Sequence, residues 1–348
     1  MKAARDSWIN PAIALILCVS AGAACAWLRI PLPWMIGPLV AMAACNFAGL
    51  GLRALRGGRE VGQLVIGSAL GLYFTPGVAR EIVSYWPLLL IGGLFAVLLG
   101  VFGGWILRRM TGVDATTAFF ASVPGGAAEM TLLGERYGAR ADRVALAQSL
   151  RILVVVIVVP FALTYSGAHG TDLYQPAPLP LQWERLLMLL GIGAAAGATL
   201  ARLGMANAFM FGPLAVVIAL TVGEVQLSSL PLELTNAAQI LLGATLGARF
   251  ERRSLQSAPW YVLGVLISVA AVVVAAALFA YALAAASGLP VPTLVLAMAP
   301  GGIAEMCITA KVLQLGVPLV TAAQVARVLV LLTTTGPGFR LIHKVLTR

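Results

Sequence analysis

Charge-free hydrophobic runs constrain this chain more than any other feature of its sequence. Between Ser254 and Ala304 no residue is charged. A helix crosses a bilayer core about 30 Å thick with about 20 apolar residues, so this run is long enough for one span and part of another. Five shorter charge-free windows are each long enough for one span: Ser7–Leu28, Ile30–Leu52, Val61–Ala79, Ile82–Leu107 and Leu203–Gly223. These runs predict an all-α polytopic membrane protein.

The composition agrees with that prediction and limits the partners. Hydrophobic residues make up 60% of the chain and charged residues 10%, whereas soluble domains average about 25% charged residues. The formal net charge of +10 comes from basic residues scattered between apolar segments, which the positive-inside rule explains without nucleic acid. No polar stretch is long enough for a DNA-binding domain, so the expected partners are the lipid bilayer and a small molecule or ion.

The second half of the chain repeats the first. Four blocks recur in the same order, the first at an offset of 175 residues (210 − 35) and the others at 176 (300 − 124, for example). They are MIGPL from Met35 and MFGPL from Met210, QLVIGSALG from Gln63 and QILLGATLG from Gln239, PGGAAEM from Pro124 and PGGIAEM from Pro300, and AQSLRILV from Ala147 and AQVARVLV from Ala323. The sequence therefore predicts two tandem copies of one unit, 1–168 and 185–348, joined by a polar linker at 169–184.

The number of crossings in each copy decides whether the copies are parallel or inverted, because an odd number inverts the second copy. The first copy offers six hydrophobic segments, near 8–28, 34–52, 60–78, 83–107, 114–134 and 143–165. If all six crossed, the basic cluster of Arg136, Arg140 and Arg143 would lie outside, against the positive-inside rule.

A re-entrant segment around the PGG sequence removes that conflict. We therefore expect five crossings and one re-entrant PGG element per copy, inverted copies, both termini in the cytoplasm and the linker around His169 outside. A PGG element that crosses as a broken helix, with another segment shortened, keeps the same parity and stays open. Six full crossings remain the other alternative.

Each copy interrupts an apolar segment with Pro-Gly-Gly, at Pro124, Gly125 and Gly126 and again at Pro300, Gly301 and Gly302. Proline removes a backbone donor and clashes with the preceding turn, and glycines permit the dihedral angles of a sharp reversal. Non-helical backbone at membrane depth is tolerated only where protein or a water-filled cavity satisfies it. We therefore expect each break to border an interior site, with a restarted helix whose N-terminus suits an anion or a carboxylate.

An acid follows each break, Glu129 in the first copy and Glu305 in the second. One interpretation is a capping carboxylate that stabilises the restarted helix by less than about 2 kcal/mol. The other is a site for a proton or a cation, because an ionisable group at membrane depth costs at least about 2.5 kcal/mol and usually marks a pathway or a paired site. The position in a broken segment favours the functional interpretation.

A glutamine and an arginine stand three residues apart in each copy, as Gln148 with Arg151 and as Gln324 with Arg327. On a helix this spacing places the amide and the guanidinium on one face. The arginine could be structural, reaching to the membrane interface or pairing with the glutamate of its own copy. Alternatively, it could hold a carboxylate or phosphate of a substrate with two parallel hydrogen bonds.

The remaining motifs point to packing rather than to chemistry. Gly67 and Gly71 form a GxxxG spacing, as do Gly243 and Gly247, and we expect close helix packing at these glycines and at the GPL sequences. The two histidines lie in the linker and near the C-terminal end, so no His/Cys cluster could hold copper, iron or zinc. We expect no cofactor, no metal site and no enzyme activity.

With its duplicated unit, its GPL sequences and its two PGG-x-AEM sequences, the chain resembles the AbrB family of bacterial inner-membrane proteins. The resemblance covers nearly the whole chain. It implies a multi-pass protein of the inner membrane, in a family whose members are filed as regulators of gene expression, some of them under an ammonia monooxygenase label. It supplies no catalytic or ligand residues, so the candidate sites above rest on physical inference.

Three functions follow from these features. A secondary transporter would use Glu129 and Glu305 to couple protons or sodium and Arg151 and Arg327 to hold an anionic metabolite, and a homodimer is compatible with it. A membrane regulator would act on gene expression indirectly, through a metabolite level or a cytosolic partner. A monooxygenase lacks metal ligands and is the least favoured.

The topology makes a direct prediction about Arg140. In a chain without its native cysteines, a cysteine placed there (Arg140→Cys) should react with a membrane-impermeant thiol reagent from the cytoplasmic side. As a control, Gln175→Cys in the linker should react from the opposite side. Labelling of position 140 from the periplasm would refute the re-entrant arrangement.

Overall fold

The structure is a computed structural model that describes residues 2–168, 170, 179–225, 228–250 and 258–346. Most of the linker, including His169, and the basic residues Arg252, Arg253 and Arg348 lie outside the described residues. The described chain is all-helical: α1 Lys2–Trp27, α2 Pro33–Phe47, α3 Gly58–Gly71, α4 Pro76–Ser84, α5 Trp86–Thr111, α6 Ala115–Ser122, α7 Ala127–Arg136, α8 Ala141–Tyr165, α9 Trp183–Arg202, α10 Ala208–Val222, α11 Leu232–Gly247, α12 Pro259–Ser287, α13 Val291–Met298, α14 Ile303–Leu313 and α15 Val317–Leu346.

Six helices in the described part of the chain are long and apolar enough to cross a membrane. The spans are Asn10–Trp27, Trp86–Thr111, Ala141–Tyr165, Trp183–Arg202, Pro259–Ser287 and Val317–Thr335. The prediction of a helical protein with several membrane spans is therefore confirmed.

Other predicted windows are wider than the helices inside them. Helices α2 and α10 each have 15 residues, which at 1.5 Å per residue gives about 22 Å, short of a bilayer core of about 30 Å. The window Val61–Ala79 contains the end of α3 and the start of α4, which meet at an angle of 92°. A window without charged residues therefore indicates an apolar environment, but it does not show that one straight helix crosses the membrane there.

The chain divides into two compact units that cut across the two predicted copies. Unit 1 comprises residues 1–80 and 172–253, and unit 2 comprises residues 81–171 and 254–348. Each unit therefore takes one part of its chain from 1–168 and another from 185–348.

Unit 1 is held together by close packing at the predicted GxxxG glycines. A β-carbon added at Gly67 would lie 2.6 Å from the carbonyl oxygen of Met210, so α3 and α10 touch through their backbones. Gly243 on α11 approaches the carbonyl oxygen of Met35 on α2 in the same way. The GPL glycine of α2, Gly37, would place a β-carbon 2.6 Å from the carbonyl oxygen of Ala21. The expected packing role of these motifs is confirmed.

Unit 2 contains helices α5 to α8 and α12 to α15, including both PGG sequences. A buried cluster surrounds the first PGG sequence, and its large members are Phe119, Phe120, Val123, Met130, Val144 and Leu331. Phe120 is fully buried and stacks on Tyr137, with ring centroids 5.8 Å apart. The break in the helix therefore lies in a packed core.

Replacing Gly67 by alanine tests the backbone contact between α3 and α10. The added methyl group has no room, so we expect a loss of about 1–3 kcal/mol, seen as a lower midpoint of thermal unfolding in detergent. Gly191→Ala is the matched control, because a β-carbon at this α9 glycine meets no atom within 4 Å. The control should be neutral or stabilising by up to about 1 kcal/mol. Equal midpoints for the two variants would contradict the packing described here.

Candidate functional site

Both PGG sequences separate two short helices within unit 2. Helix α6 ends at Ser122 and α7 begins at Ala127, and α13 ends at Met298 before α14 begins at Ile303. The residue before each proline is extended, with φ −60° and ψ 127° at Val123 and φ −58° and ψ 134° at Ala299. A residue that precedes proline is sterically pushed out of the helical region. The predicted helix breaks are therefore present in both copies.

The glycines of the breaks do not supply unusual dihedral angles. Gly126 has φ −67° and ψ 132°, and Gly302 has φ −77° and ψ 154°. Any L-residue can adopt this extended region. Gly125 and Gly301 are also absent from the positions with positive φ. The positive-φ dihedral angles that glycine permits are therefore not used at these breaks.

The glycines leave space beside the backbone, and side chains from the rest of the motif occupy it. A β-carbon at Gly125 would lie 2.8 Å from the Cε atom of Met130, and one at Gly126 would lie 2.7 Å from Oε1 of Glu129. The second copy has the same two contacts, between Gly301 and Met306 and between Gly302 and Glu305. The two glycines, the glutamate and the methionine of PGG-x-AEM therefore fit together as one local arrangement.

Gln148 and Arg151 hold the backbone that the first break leaves without helical partners. The amide nitrogen of Gln148 donates to the carbonyl oxygens of Phe120 (2.8 Å) and Val123 (2.9 Å) and, at 3.4 Å, to that of Ala121. The guanidinium of Arg151 donates from Nη1 to the carbonyl oxygen of Val123 at 2.8 Å. Its Nη2 donates to the carbonyl oxygen of Gly125 at 3.1 Å.

The second break is held by the same bonds, 176 residues further along the chain (324 − 148). Gln324 donates to the carbonyl oxygens of Leu296 (2.8 Å), Ala297 (3.3 Å) and Ala299 (3.3 Å). Arg327 donates to the carbonyl oxygens of Ala299 (2.5 Å) and Gly301 (2.7 Å). Every donor and every acceptor occupies the position that corresponds to one in the first break.

These bonds give the arginines a structural role, but their acceptors are not the predicted ones. Arg151 and Arg327 are only 3% and 4% exposed, so they do not reach to the membrane interface. Their terminal nitrogens bind backbone carbonyls rather than forming a free two-pronged grip. Sequence reasoning missed these acceptors because any residue type supplies a carbonyl. The predicted pairing of each arginine with the glutamate of its own copy stays a prediction.

Part of each glutamine and arginine remains unsatisfied. Oε1 of Gln148 and Nε of Arg151 are buried and have no hydrogen-bond partner among the described residues, and the same is true of Oε1 of Gln324 and Nε of Arg327. Buried polar atoms in proteins nearly always have a partner, which is protein, water or ligand. Each break therefore has one buried acceptor and one buried donor without a hydrogen-bond partner among the described residues.

The two glutamates take the third position of their helices. Glu129 follows the N-cap residue Gly126 by three, and Glu305 follows Gly302 by three. A carboxylate at this position, folded back toward the N-cap residue, has the arrangement of a capping box. The two acids differ in burial, because Glu305 is 7% exposed and Glu129 is half-buried.

A small cavity adjoins the first break. Arg151 lines it together with two serines, Ser122 at the end of α6 and Ser268 on α12. The remaining wall is apolar and consists of Leu107, Ala121, Ala147, Val265, Val269 and Val272. Sequence reasoning did not find this site, because Ser268 lies in the long charge-free run and belongs to no motif.

Comparison with known proteins confirms the resemblance over most of the chain. The family model described as "Transition state regulatory protein AbrB" matches residues 34–343. The chain is 27% identical to the protein YhjN of Bacillus subtilis (strain 168) over 344 residues, covering 90% of this chain and 88% of that protein. It is 26% identical over 313 residues to an Escherichia coli (strain K12) protein whose name calls it a regulator, AbrB, with 89% of each chain covered.

Replacing Gln148 by leucine tests whether the glutamine holds the break. The carbonyls of Phe120 and Ala121 lose their side-chain donor while they stay buried, and an unsatisfied buried group costs about 1–3 kcal/mol. We expect a lower midpoint of thermal unfolding for Gln148→Leu and a similar loss for Gln324→Leu. Thr199→Ala is the control, because its exposed hydroxyl donates only to its own helix. A Gln148→Leu protein as stable as the wild type would count against this role.

Proposed function

We propose that this chain, which belongs to the AbrB family, is a secondary transporter that moves a small anionic metabolite together with protons or sodium ions. The observation that carries the proposal is the pair of helix breaks with identical hydrogen bonds inside one compact unit. Transporters build substrate and ion sites from interrupted helices that belong to two copies of one repeat.

The charges beside the breaks favour an anionic substrate. Arg151 and Arg327 are buried, and the acceptors of their hydrogen bonds are neutral backbone carbonyls. A buried positive charge is costly unless a negative charge or strong hydrogen bonds compensate it. The first turns of α7 and α14 add backbone N–H groups, which favour anions at a helix N-terminus. In this proposal the guanidinium groups hold the breaks and contribute positive charge, and the substrate binds near the backbone N–H groups that begin α7 and α14.

The glutamates are the proposed coupling groups. Glu305 is buried in the first turn of α14, which follows the Gly301 carbonyl that Arg327 binds. Binding of a proton or a sodium ion would neutralise a carboxylate and change the charge of the site by one unit, which links ion binding to anion binding. A capping role and a coupling role are compatible, since the same carboxylate can do both.

The topology belongs to the same proposal. We infer two inverted copies, with the PGG elements re-entrant or crossing as broken helices, in the bacterial inner membrane, with both termini in the cytoplasm. The parity of the crossings and the distribution of basic residues in the sequence support it. A homodimer is compatible with this arrangement, and the proposed activity is not enzymatic.

The second candidate is a membrane-embedded regulator, and the name of the Escherichia coli relative favours it. Such a protein would influence gene expression without binding DNA, through the level of a metabolite or through a cytosolic partner. A transporter can have the same effect indirectly, so gradient-driven flux separates the two candidates.

Transport by purified protein in liposomes tests the proposal. Organic acids and amino acids are screened for uptake under an imposed proton or sodium gradient. We expect at least one anion to accumulate, and Glu129→Gln combined with Glu305→Gln should abolish the response to the gradient. The matched control is Glu184→Gln combined with Glu233→Gln, two exposed acids in the first turns of α9 and α11.

The two outcomes bear on different parts of the proposal. Gradient-driven uptake that survives in the Glu129/Glu305 double variant would remove the coupling role of these acids. An absence of flux for every compound, with protein that is folded and correctly inserted, would favour the regulator.

A further inference from the structure

The cavity beside the first break is small and polar on one side. It lies between α5, α6, α8 and α12, all in unit 2. Its interior has room for about one water molecule, so it excludes metabolites and polyatomic anions such as sulfate.

Three polar groups line the cavity. Arg151 contributes a guanidinium whose Nε–H has no partner among the described residues. Ser122 contributes a hydroxyl group, and so does Ser268, which donates to the carbonyl oxygen of Gly103 at 2.8 Å. That carbonyl lies within α5 and also has its place in the helical hydrogen-bond ladder. The Ser268 hydroxyl can therefore turn toward the cavity without leaving Gly103 unsatisfied.

In the second copy, a methionine side chain lies at the position that corresponds to Ser122. There Met298 stands where the first copy has Ser122 (298 − 122 = 176), and Gly92 stands where the second copy has Ser268 (268 − 92 = 176). A β-carbon at Gly92 would lie 2.7 Å from the Cε atom of Met298, so the methionine occupies the space beside this glycine. The two serines that line the cavity thus belong to the first break and are not part of the repeated motif.

The positive charge of the Arg151 guanidinium determines which ligand the cavity favours. The hydrogen bonds of Arg151 go to neutral backbone carbonyls, so none of them compensates its buried positive charge. A cation would add a further positive charge to this buried group. A water molecule would accept a hydrogen bond from Nε–H but would not compensate the positive charge. A small anion would do both.

We propose that the cavity binds a single monatomic anion, with chloride as the natural ligand, held by Arg151 Nε–H and the hydroxyl groups of Ser122 and Ser268. The anion stabilises the buried guanidinium that holds the first break. The second break has no such ligand, so the two breaks differ in their dependence on halide. The inference does not depend on transport, because the burial of Arg151 is the same whichever function the protein has.

Bromide replaces chloride in the direct test, because its anomalous X-ray scattering locates it. Crystals of the full-length protein grown in bromide should show an anomalous peak bordered by Arg151, Ser122 and Ser268, and none beside Met298. Combining Ser122→Met with Ser268→Gly copies the filled cavity of the second break and should remove the peak. A peak absent from the wild type, or a water molecule in its place, would overturn the proposal.

Thermal unfolding gives a second test that needs no crystals. In lipid nanodiscs, replacing gluconate by chloride at constant sodium should raise the unfolding midpoint of the wild type by several degrees, because a ligand of the folded state stabilises it. The Ser122→Met/Ser268→Gly variant should lose this shift, and Ser122→Ala should reduce it if the double variant does not fold. Ser287→Ala, which removes an exposed hydroxyl that donates to its own helix, should keep the full shift. Equal midpoints of the wild type in chloride and gluconate would refute the site.

Discussion

The backbone carbonyls at the two helix breaks need donors, and the rest of unit 2 is arranged around that need. Proline ends the helix, the chain becomes extended, and carbonyl groups that a continuous helix would satisfy stay buried. In a membrane, water does not replace the missing donors. One glutamine and one arginine in each copy supply them, at positions that correspond bond for bond.

This arrangement explains why the breaks lie in a packed core and still have polar atoms that lack a partner among the described residues. The arginines are buried because their acceptors are buried, and each retains one donor that the described protein leaves unsatisfied. The two copies share these hydrogen bonds but differ in the side chains beside them. Serines leave a polar cavity beside Arg151, whereas Met298 occupies the equivalent position in the second copy. The two breaks are thus similar in their hydrogen bonds, and single side chains give them different surroundings.

Sequence reasoning succeeded where local chemistry decides the structure. Proline and glycine located both helix breaks, and the GxxxG spacing located the close contacts of α3 with α10 and of α11 with α2. It failed where the partner is distant or has no sequence signature. The carbonyls bound by Gln148 and Arg151 could come from any residue type, and the 92° turn between α3 and α4 lies inside a charge-free window. The two compact units could not be read from the repeat boundaries, because each unit is assembled from parts of both copies.

The central claim is that the two breaks form a site that carries an anion across the membrane. Counterflow in proteoliposomes tests it most directly, because it requires alternating access and no ion gradient. Vesicles preloaded with an unlabelled organic or amino acid should transiently accumulate the labelled compound above its equilibrium level if that compound is the substrate. Labelled compound that never exceeds equilibrium, for any acid tested with folded and inserted protein, would contradict the account.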